Sequence, residues 1–277
     1  VQEPHIPVAL MFAVLGSVGV TSSMDLGLIV LFLQMMSLAS YVLVGIIRTD
    51  LRANEAAIKY FIFAAAALAL MAFGLTFLYG LTGSLNLAVI GKELSGSSNH
   101  WILFALTLVI LGYGFEVTIV PFHFWAPDVY AGTNAPVAGF ISVVLKIAGF
   151  AGLARILILS FPSDLMNWSI ILAVFAAVTM TFGNIAALKQ TNLKRLLAYS
   201  SIAQSGYILS ALSVLEKSES AFSSAGFYLL AYIFMNLGAF AVAAQIERNY
   251  GSDDFVLLKG LGKTNGFTAI VLTLSLL

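Results

Sequence analysis

Two ionisable side chains stand where their neighbours are made for lipid. Glu116 follows the run FALTLVILGYGF, and Lys146 sits in the middle of PVAGFISVVLKIAGFAGLARILIL. Lys146 lies about ten residues into its segment, hence roughly 15 Å deep at a 1.5 Å rise per residue. A charge at that depth costs about 2.5–3.5 kcal/mol on insertion scales, so such residues face an interior and mark ion or proton paths. The chemistry open to this pair is proton exchange. Burial disfavours the charged form of each, an opposite charge nearby favours it, and moving either proton changes the other group's balance. The plainer reading of Lys146 is a structural ion pair or a lysine kept neutral by burial. Gly149 and Gly152 would let a helix or water come close to its face.

Glu116 lies a little over one turn before Pro121, in EVTIVPFHFWAPDVYAGTNAPV. Proline removes a backbone donor and disrupts the preceding turn. Irregular backbone at membrane depth survives only inside protein or beside a wet cavity. Two readings are equally open on spacing alone: a helix that stops within the membrane, or one that ends near the surface with PFHFWAPDVYAGTNAP as a loop. Gln34 sits in mid-helix in LIVLFLQMMSLASYVLVG and could bond across helices. His123, between two phenylalanines, reads as a structural hydrogen-bonder, since no second histidine lies at metal-ligand spacing. Asn236, in FMNLGAF, reads as polar glue between helices. Asp25, Asp128, Glu216 and Glu219 fall at helix ends or in loops and need no function. No Ser–His–Asp set, paired carboxylates or metal cluster stands out, so the sequence gives no support for chemistry on a small substrate or for a metal.

The elements that must position these groups follow from composition. Of 277 residues, 60% are hydrophobic and only 9% charged, against roughly a quarter charged in soluble domains. The chain therefore reads as an integral, multi-pass membrane protein. Thirteen basic and thirteen acidic residues cancel, which points away from nucleic acid as a partner. The sequence has no cysteine, which excludes disulfides, cysteine-held iron–sulfur clusters and cysteine zinc sites. Apolar runs measured against a span of roughly 20 residues predict α-helices near Pro7–Ser22, Leu26–Ile47, Ala57–Thr82, Trp101–Val120, Pro136–Leu159, Trp168–Leu188, Leu193–Val214, Ala221–Ile246 and Phe267–Leu277. The stretch Gly83 to His100 reads as an ordinary surface connection. Arg48, Arg52, Lys59, Lys189, Lys194, Arg195, Arg248, Lys259 and Lys263 then share one side, against Lys92, Arg155 and Lys217 on the other. The positive-inside rule makes the first side cytoplasmic. The ends, Val1 without a signal peptide's n-region and an apolar close at Leu277, read as those of a fragment.

Two further stretches carry a resemblance. VTIVPFHFWAPDVYAGTNAPVAGFISVVLKIAGF and NIAALKQTNLKRLLAYSSIAQSGYILSAL, with EAAIKYF and LYGLTGSLNL, resemble the antiporter-like proton-channel subunits of respiratory complex I, the N type above all. The resemblance covers nearly the whole chain. It implies an all-α polytopic bundle, about helices four to twelve of fourteen, built from inverted five-helix repeats at about 7–159 and 168–277. A discontinuous helix would lie near Pro121. It implies proton translocation in the membrane arm of an NAD(P)H, ferredoxin or deazaflavin:quinone oxidoreductase. The quinone, FMN and iron–sulfur clusters would belong to other subunits, and no cofactor to this chain. Partners would be other membrane-arm subunits, the bilayer and protons. The setting would be an energy-coupling membrane: a prokaryotic cell membrane, a thylakoid or a mitochondrial inner membrane. A multi-subunit cation/proton antiporter, or a structural arm subunit with an altered proton path, remains the alternative.

Two positions depart from the family pattern. Gln34 stands where the family carries a glutamate, and Glu116 where it carries a lysine, whereas Lys146 is retained. Glu116 and Lys146 are thus expected to be the titrating relay, sharing a wet pocket, with Gln34 as a polar neighbour and His123 as a weaker candidate for gating.

Overall fold

The computed structural model describes residues 5–95, 100–161, 168–215, 218 and 220–276. Glu216, Lys217 and Glu219 lie outside the described residues. Twelve α-helices follow one another: α1 (His5–Ser22), α2 (Leu26–Val44), α3 (Leu51–Thr82), α4 (Leu87–Leu94), α5 (His100–Glu116), α6 (Trp125–Gly132), α7 (Ala135–Ser160), α8 (Trp168–Ala187), α9 (Leu193–Leu212), α10 (Ser220–Tyr250), α11 (Leu261–Thr264) and α12 (Gly266–Leu276), with a 3₁₀ turn at Phe255–Leu258. Each of the nine apolar runs is a helix.

Helices α1, α2, α3, α7, α8 and α10 are long and apolar enough to cross a membrane, and α5 and α12 are shorter apolar helices. Helix α9 matches them in length but carries Lys194, Arg195, Ser201, Gln204 and Ser205, polar groups that a lipid-facing span would not tolerate. It lies against α8, α10, α6 and α7, where Lys194, Ser201 and Ser205 are buried, Gln204 is half-buried and Arg195 is exposed. Helix α7 is the hub: it packs against α1, α2, α4, α5, α6, α9 and α10, and Lys146 on it is 1% exposed.

Helix starts are set by side chains that accept from otherwise unbonded amides. Asp25 accepts from Gly27 and Leu28, Asp50 from Arg52, Asn86 from Ala88 and Val89, Asn134 from Val137, and Asn192 from Arg195. Asp25 thus has the structural role expected of it.

The stretch Gly83 to His100 is more than a surface connection. Within it α4 buries Leu87, Ile90, Gly91 and Leu94 and packs against α7. A Cβ on Gly91 would collide with the Leu159 carbonyl. Leu87, Ile90 and Leu94 keep helical spacing, but eight residues are too few for a span. The Gly, Ser and Asn around them suggest a loop.

One local arrangement occurs twice. Asp25, ahead of α2, bridges Asn86, ahead of α4, with Leu26 N donating to Leu85 O and Leu87 N to Met24 O, each at 2.9 Å. Asn192, ahead of α9, bridges Asp254 after α10, with Leu193 N donating to Asp253 O at 2.9 Å and Phe255 N to Thr191 O at 3.0 Å. In both places a long helix, α3 or α10, ends just before the bridge at a glycine with φ near +66°, Gly83 or Gly251.

Candidate functional site

Helix α5 stops at Glu116 in a form its sequence does not advertise. Ile119 N donates to Gly114 O at 2.7 Å and Thr118 N to Phe115 O at 3.2 Å. This is the crossed pair of bonds that closes a helix around a left-handed residue. That residue is Thr118, with φ 58°, where glycine is the usual occupant. A β-branched residue there costs about 1–2 kcal/mol, so its surroundings must hold it. They do: Thr118 Oγ1 donates to Val117 O at 2.7 Å and meets Ser205 Oγ of α9 at 3.1 Å. Val120 N donates to Thr179 Oγ1 of α8 at 3.2 Å. Val117, Thr118, Ile119 and His123 are buried. The chain then turns through a cis Val120–Pro121 bond into α6, whose Trp125 Nε1 donates back to Phe115 O at 3.0 Å. Of the two readings open above, the interrupted helix with irregular backbone inside protein is the one realised.

Glu116, 6% exposed, accepts a 2.5 Å hydrogen bond from Ser37 Oγ on α2. Its second oxygen, Oε2, has no partner among the described residues. Gln34, one turn before Ser37, is half-buried; Ser37 is the α2 side chain that hydrogen-bonds the acid among the described residues.

Lys146 does not form an ion pair with Glu116. Its ammonium donates to Ser201 O and Ser201 Oγ of α9, both at 2.6 Å, and lies 5.4 Å from the centroid of the Tyr232 ring. No acid approaches it among the described residues. The two groups nonetheless share a face of α7. A Cβ on Gly149 would stand 2.6 Å from Val117 Cγ1 and 3.7 Å from Glu116 Cβ, and one on Gly152 would collide with the Tyr113 hydroxyl. The two glycines therefore admit α5 itself.

A chain of hydroxyls runs through the Lys146 site. Ser201 Oγ meets Tyr232 OH at 2.8 Å, Tyr232 OH donates to Ser142 O at 3.1 Å, and Asn236 Nδ2 donates to Tyr232 OH at 2.6 Å and Ser142 Oγ at 2.7 Å. In the other direction Ser205 Oγ donates to Ser201 O at 3.1 Å and meets Thr118. Asn236 does join helices, α10 to α7, and it does so as a member of this chain. Ser37, Thr118, Ser201, Ser205 and Tyr232 were not distinguishable in the sequence by type; Ser201 and Ser205 on α9, like Tyr232 and Asn236 on α10, stand four apart, the spacing that puts two side chains on one helix face.

His123 lies away from both groups. Its ring sits against Phe124 and Phe182 with centroids 4.2 and 4.5 Å away, and Nδ1 has no partner. It lines a cavity of about 570 Å³ together with Lys59, Asp128, Arg195 and Tyr199. Asp128, on α6, accepts from Lys59 Nζ of α3 at 3.1 Å and from Arg195 Nη2 of α9 at 2.8 Å. Nearby, Lys194, with a side chain only 5% exposed, contacts Glu247 at 2.9 Å and Asp253 at 3.6 Å and donates to Thr133 O. Glu247 Oε2 in turn accepts from Ala135 N at the start of α7. These are residues from loops and helix ends that the charge count assigned to one side. On the other, Arg155 donates to Thr21 O and Ser23 O at the end of α1.

A helical bundle with six helices long and apolar enough to cross a membrane, a buried acid at a helix interruption and a buried amine beside it in α7 defines the class, a polytopic membrane protein. Residues 23–277 match the family of NADH:quinone oxidoreductase and Mrp antiporter transmembrane proteins, and the chain belongs to that family. It is 39% identical over 274 residues to NADH-quinone oxidoreductase subunit N of Chlorobium chlorochromatii (95% of this chain, 53% of the relative). It is 42% identical over 279 residues to the subunit N of Geobacillus kaustophilus (97% and 56%). The chain thus spans about half the length of these curated relatives. Among solved structures, it matches a chain of an archaeal membrane-bound sulfane sulfur reductase with TM-score 0.86 at 28% identity (96% of this chain, 54% of that one). A chain of respiratory complex I from Thermus thermophilus matches with TM-score 0.79 at 36% identity (96% and 57%). A chain of the Mrp complex from Dietzia sp. shares the fold, with TM-score 0.81 at 20% identity over 98% of this chain and 57% of that one.

Proposed function

We propose that the chain carries protons across an energy-coupling membrane as part of the membrane arm of a complex I-type quinone oxidoreductase, with Glu116 and Lys146 as its titrating groups. The observation that carries this reading is the ammonium of Lys146, 1% exposed and bonded only to hydroxyl and carbonyl oxygens. A buried amine held by neutral acceptors is stabilised in its charged form by hydrogen bonds and opposed by desolvation. It can therefore take up and release a proton without breaking a strong ion pair. The Ser201 carbonyl and the hydroxyls of Ser205 and Thr118 lead from it to the interruption that begins just beyond Glu116. The relatives named NADH-quinone oxidoreductase subunit N support a redox-driven setting; the electrons, quinone, FMN and iron–sulfur clusters would reside on other subunits. The two bridge arrangements, Asp25–Asn86 and Asn192–Asp254, support a division into two repeats of opposite orientation, about 7–159 and 168–277.

The test is proton translocation by the intact complex in sealed vesicles, with Glu116→Gln and Lys146→Ala introduced separately. Each substitution should lower the protons moved per electron several-fold relative to the parent. Equal proton-to-electron ratios in parent and both variants would overturn the relay.

A further inference from the structure

Glu116 is buried, yet only Oε1 is engaged; Oε2 meets no donor among the described residues. Three tyrosine hydroxyls share that condition. Tyr41, Tyr60 and Tyr113 are 9%, 0% and 0% exposed, and among the described residues their hydroxyls meet no partner at hydrogen-bond geometry. The fold gathers them around the acid. Tyr113 precedes Glu116 by one turn on α5, and Tyr41 follows Ser37 by one turn on α2. Tyr60, on α3, packs against Tyr41 with ring centroids 4.6 Å apart and against Phe115 at 5.7 Å.

Packing alone does not account for the three hydroxyls. Phenylalanine would bury the same ring without the desolvation cost of a stranded hydroxyl. Tyr60 stacks on Trp125 with centroids 4.3 Å apart and planes within 11°, which holds its ring in place. Buried hydroxyls and carboxylates almost always find partners, and where side chains do not touch, internal water joins them.

We propose that Tyr41, Tyr60 and Tyr113, with Ser37, form a hydroxyl cage that binds water against Glu116 and sets how readily it releases its proton. The cage deepens the reading of Glu116 as a proton carrier and rests on it for its role in transport. Its ligand is water, hydrogen-bonded on one side to Oε2 and on the other to a phenolic hydroxyl. It explains how an acid stands at this position without a cation beside it: hydroxyl donors take the place of a counter-ion. The titratable groups around Glu116 are Tyr41 from α2, Tyr60 from α3 and Tyr113 from α5 itself; Lys146, on α7, is engaged by α9. Donors to a carboxylate favour its charged form, so removing them raises the pH at which the proton leaves.

The test is infrared difference spectroscopy of the intact complex as pH is varied, with the carboxylic-acid band of Glu116 assigned by its loss in Glu116→Gln. Tyr41→Phe, Tyr60→Phe and Tyr113→Phe keep every ring, and quinone reduction reports that the complex is assembled. Tyr79→Phe, on an exposed tyrosine of α3, is the control. Each cage variant should keep the band to higher pH, and the triple variant should move its midpoint up by roughly one pH unit or more, with the control unmoved. An unmoved midpoint in the triple variant overturns the cage, as does a shift equal to that of the control. The absence at every pH of a band that Glu116→Gln removes overturns it too. Unchanged pumping in Glu116→Gln together with a shifted midpoint in the triple variant would instead leave the cage standing and remove the carrier role.

Discussion

Glu116 and Lys146 were legible because an ionisable group in an apolar run is rare enough to stand out. Their surroundings were not. Serine and threonine in helices commonly bond their own backbone one turn back, as Thr107 does, so nothing in the sequence separates Ser201 or Ser205 from such residues. Gln34 drew attention as the most polar side chain of its helix, yet Ser37, one turn on, reaches the acid. The direct pairing expected of the two charges fails because α9 supplies Lys146 with closer acceptors. Replacing Lys146 by methionine should leave thermal stability equal or higher, since a buried charge exchanged for an apolar chain of similar size is often neutral or stabilising. Pumping should nonetheless fall, and a melting curve paired with a pumping assay checks both. Thr118→Gly gives a second expectation. It relieves the left-handed backbone but removes the hydroxyl that meets Ser205, so stability should change by less than about 1 kcal/mol while proton transfer slows.

At the scale of elements, apolar length found every long helix, and the proline-rich stretch marked the interruption. What periodicity could not supply was depth: the same residues read equally well as a surface loop. Helix α4 was missed because eight residues make too short a pattern. The ties between elements lend themselves to a ranking. Asp128 joins α6 to α3 and α9 through partners whose side chains are 41% and 45% exposed, and exposed pairs contribute about 0–1 kcal/mol. Lys194 is 5% exposed, and removing the partner of a buried charge costs about 3–5 kcal/mol, discounted here because Glu247 is 32% exposed and Asp253 stays near. Glu247→Ala should therefore lower the melting temperature clearly more than Asp128→Ala, and added salt should shrink only the Asp128 effect. Equal losses would mean that the buried knot has no special weight. Gly149→Ala should cost about 1–3 kcal/mol, since its new methyl would overlap Val117.

Across the whole molecule, three of the basic residues that the charge count put on one side, Lys59, Lys194 and Arg195, enter the Asp128 and Lys194 networks. The recurrence of the bridge geometry was invisible in the sequence, because Asp25–Asn86 and Asn192–Asp254 share backbone geometry and only a taste for Asp and Asn. A chain without cysteine makes their orientation directly measurable. A membrane-impermeant thiol reagent should label Asp25→Cys from one side of sealed vesicles and Asn192→Cys from the other; labelling of both from the same side would end the inverted-repeat reading.

The nitrogen of Lys146 is held by two oxygens of one residue, Ser201, and among the described residues no carboxylate lies against it. An unanswered charge is long-sighted. At an effective dielectric near 20, two unit charges roughly 10 Å apart still interact by about 1.7 kcal/mol, more than a tenfold change in an equilibrium. Had a carboxylate been clamped to Lys146, the pair would look like a small dipole from afar and its field would die within a few side chains. If Lys146 carries protons as proposed, the same nitrogen would be felt, each time its charge changes, by ionisable groups in the neighbouring half of the bundle.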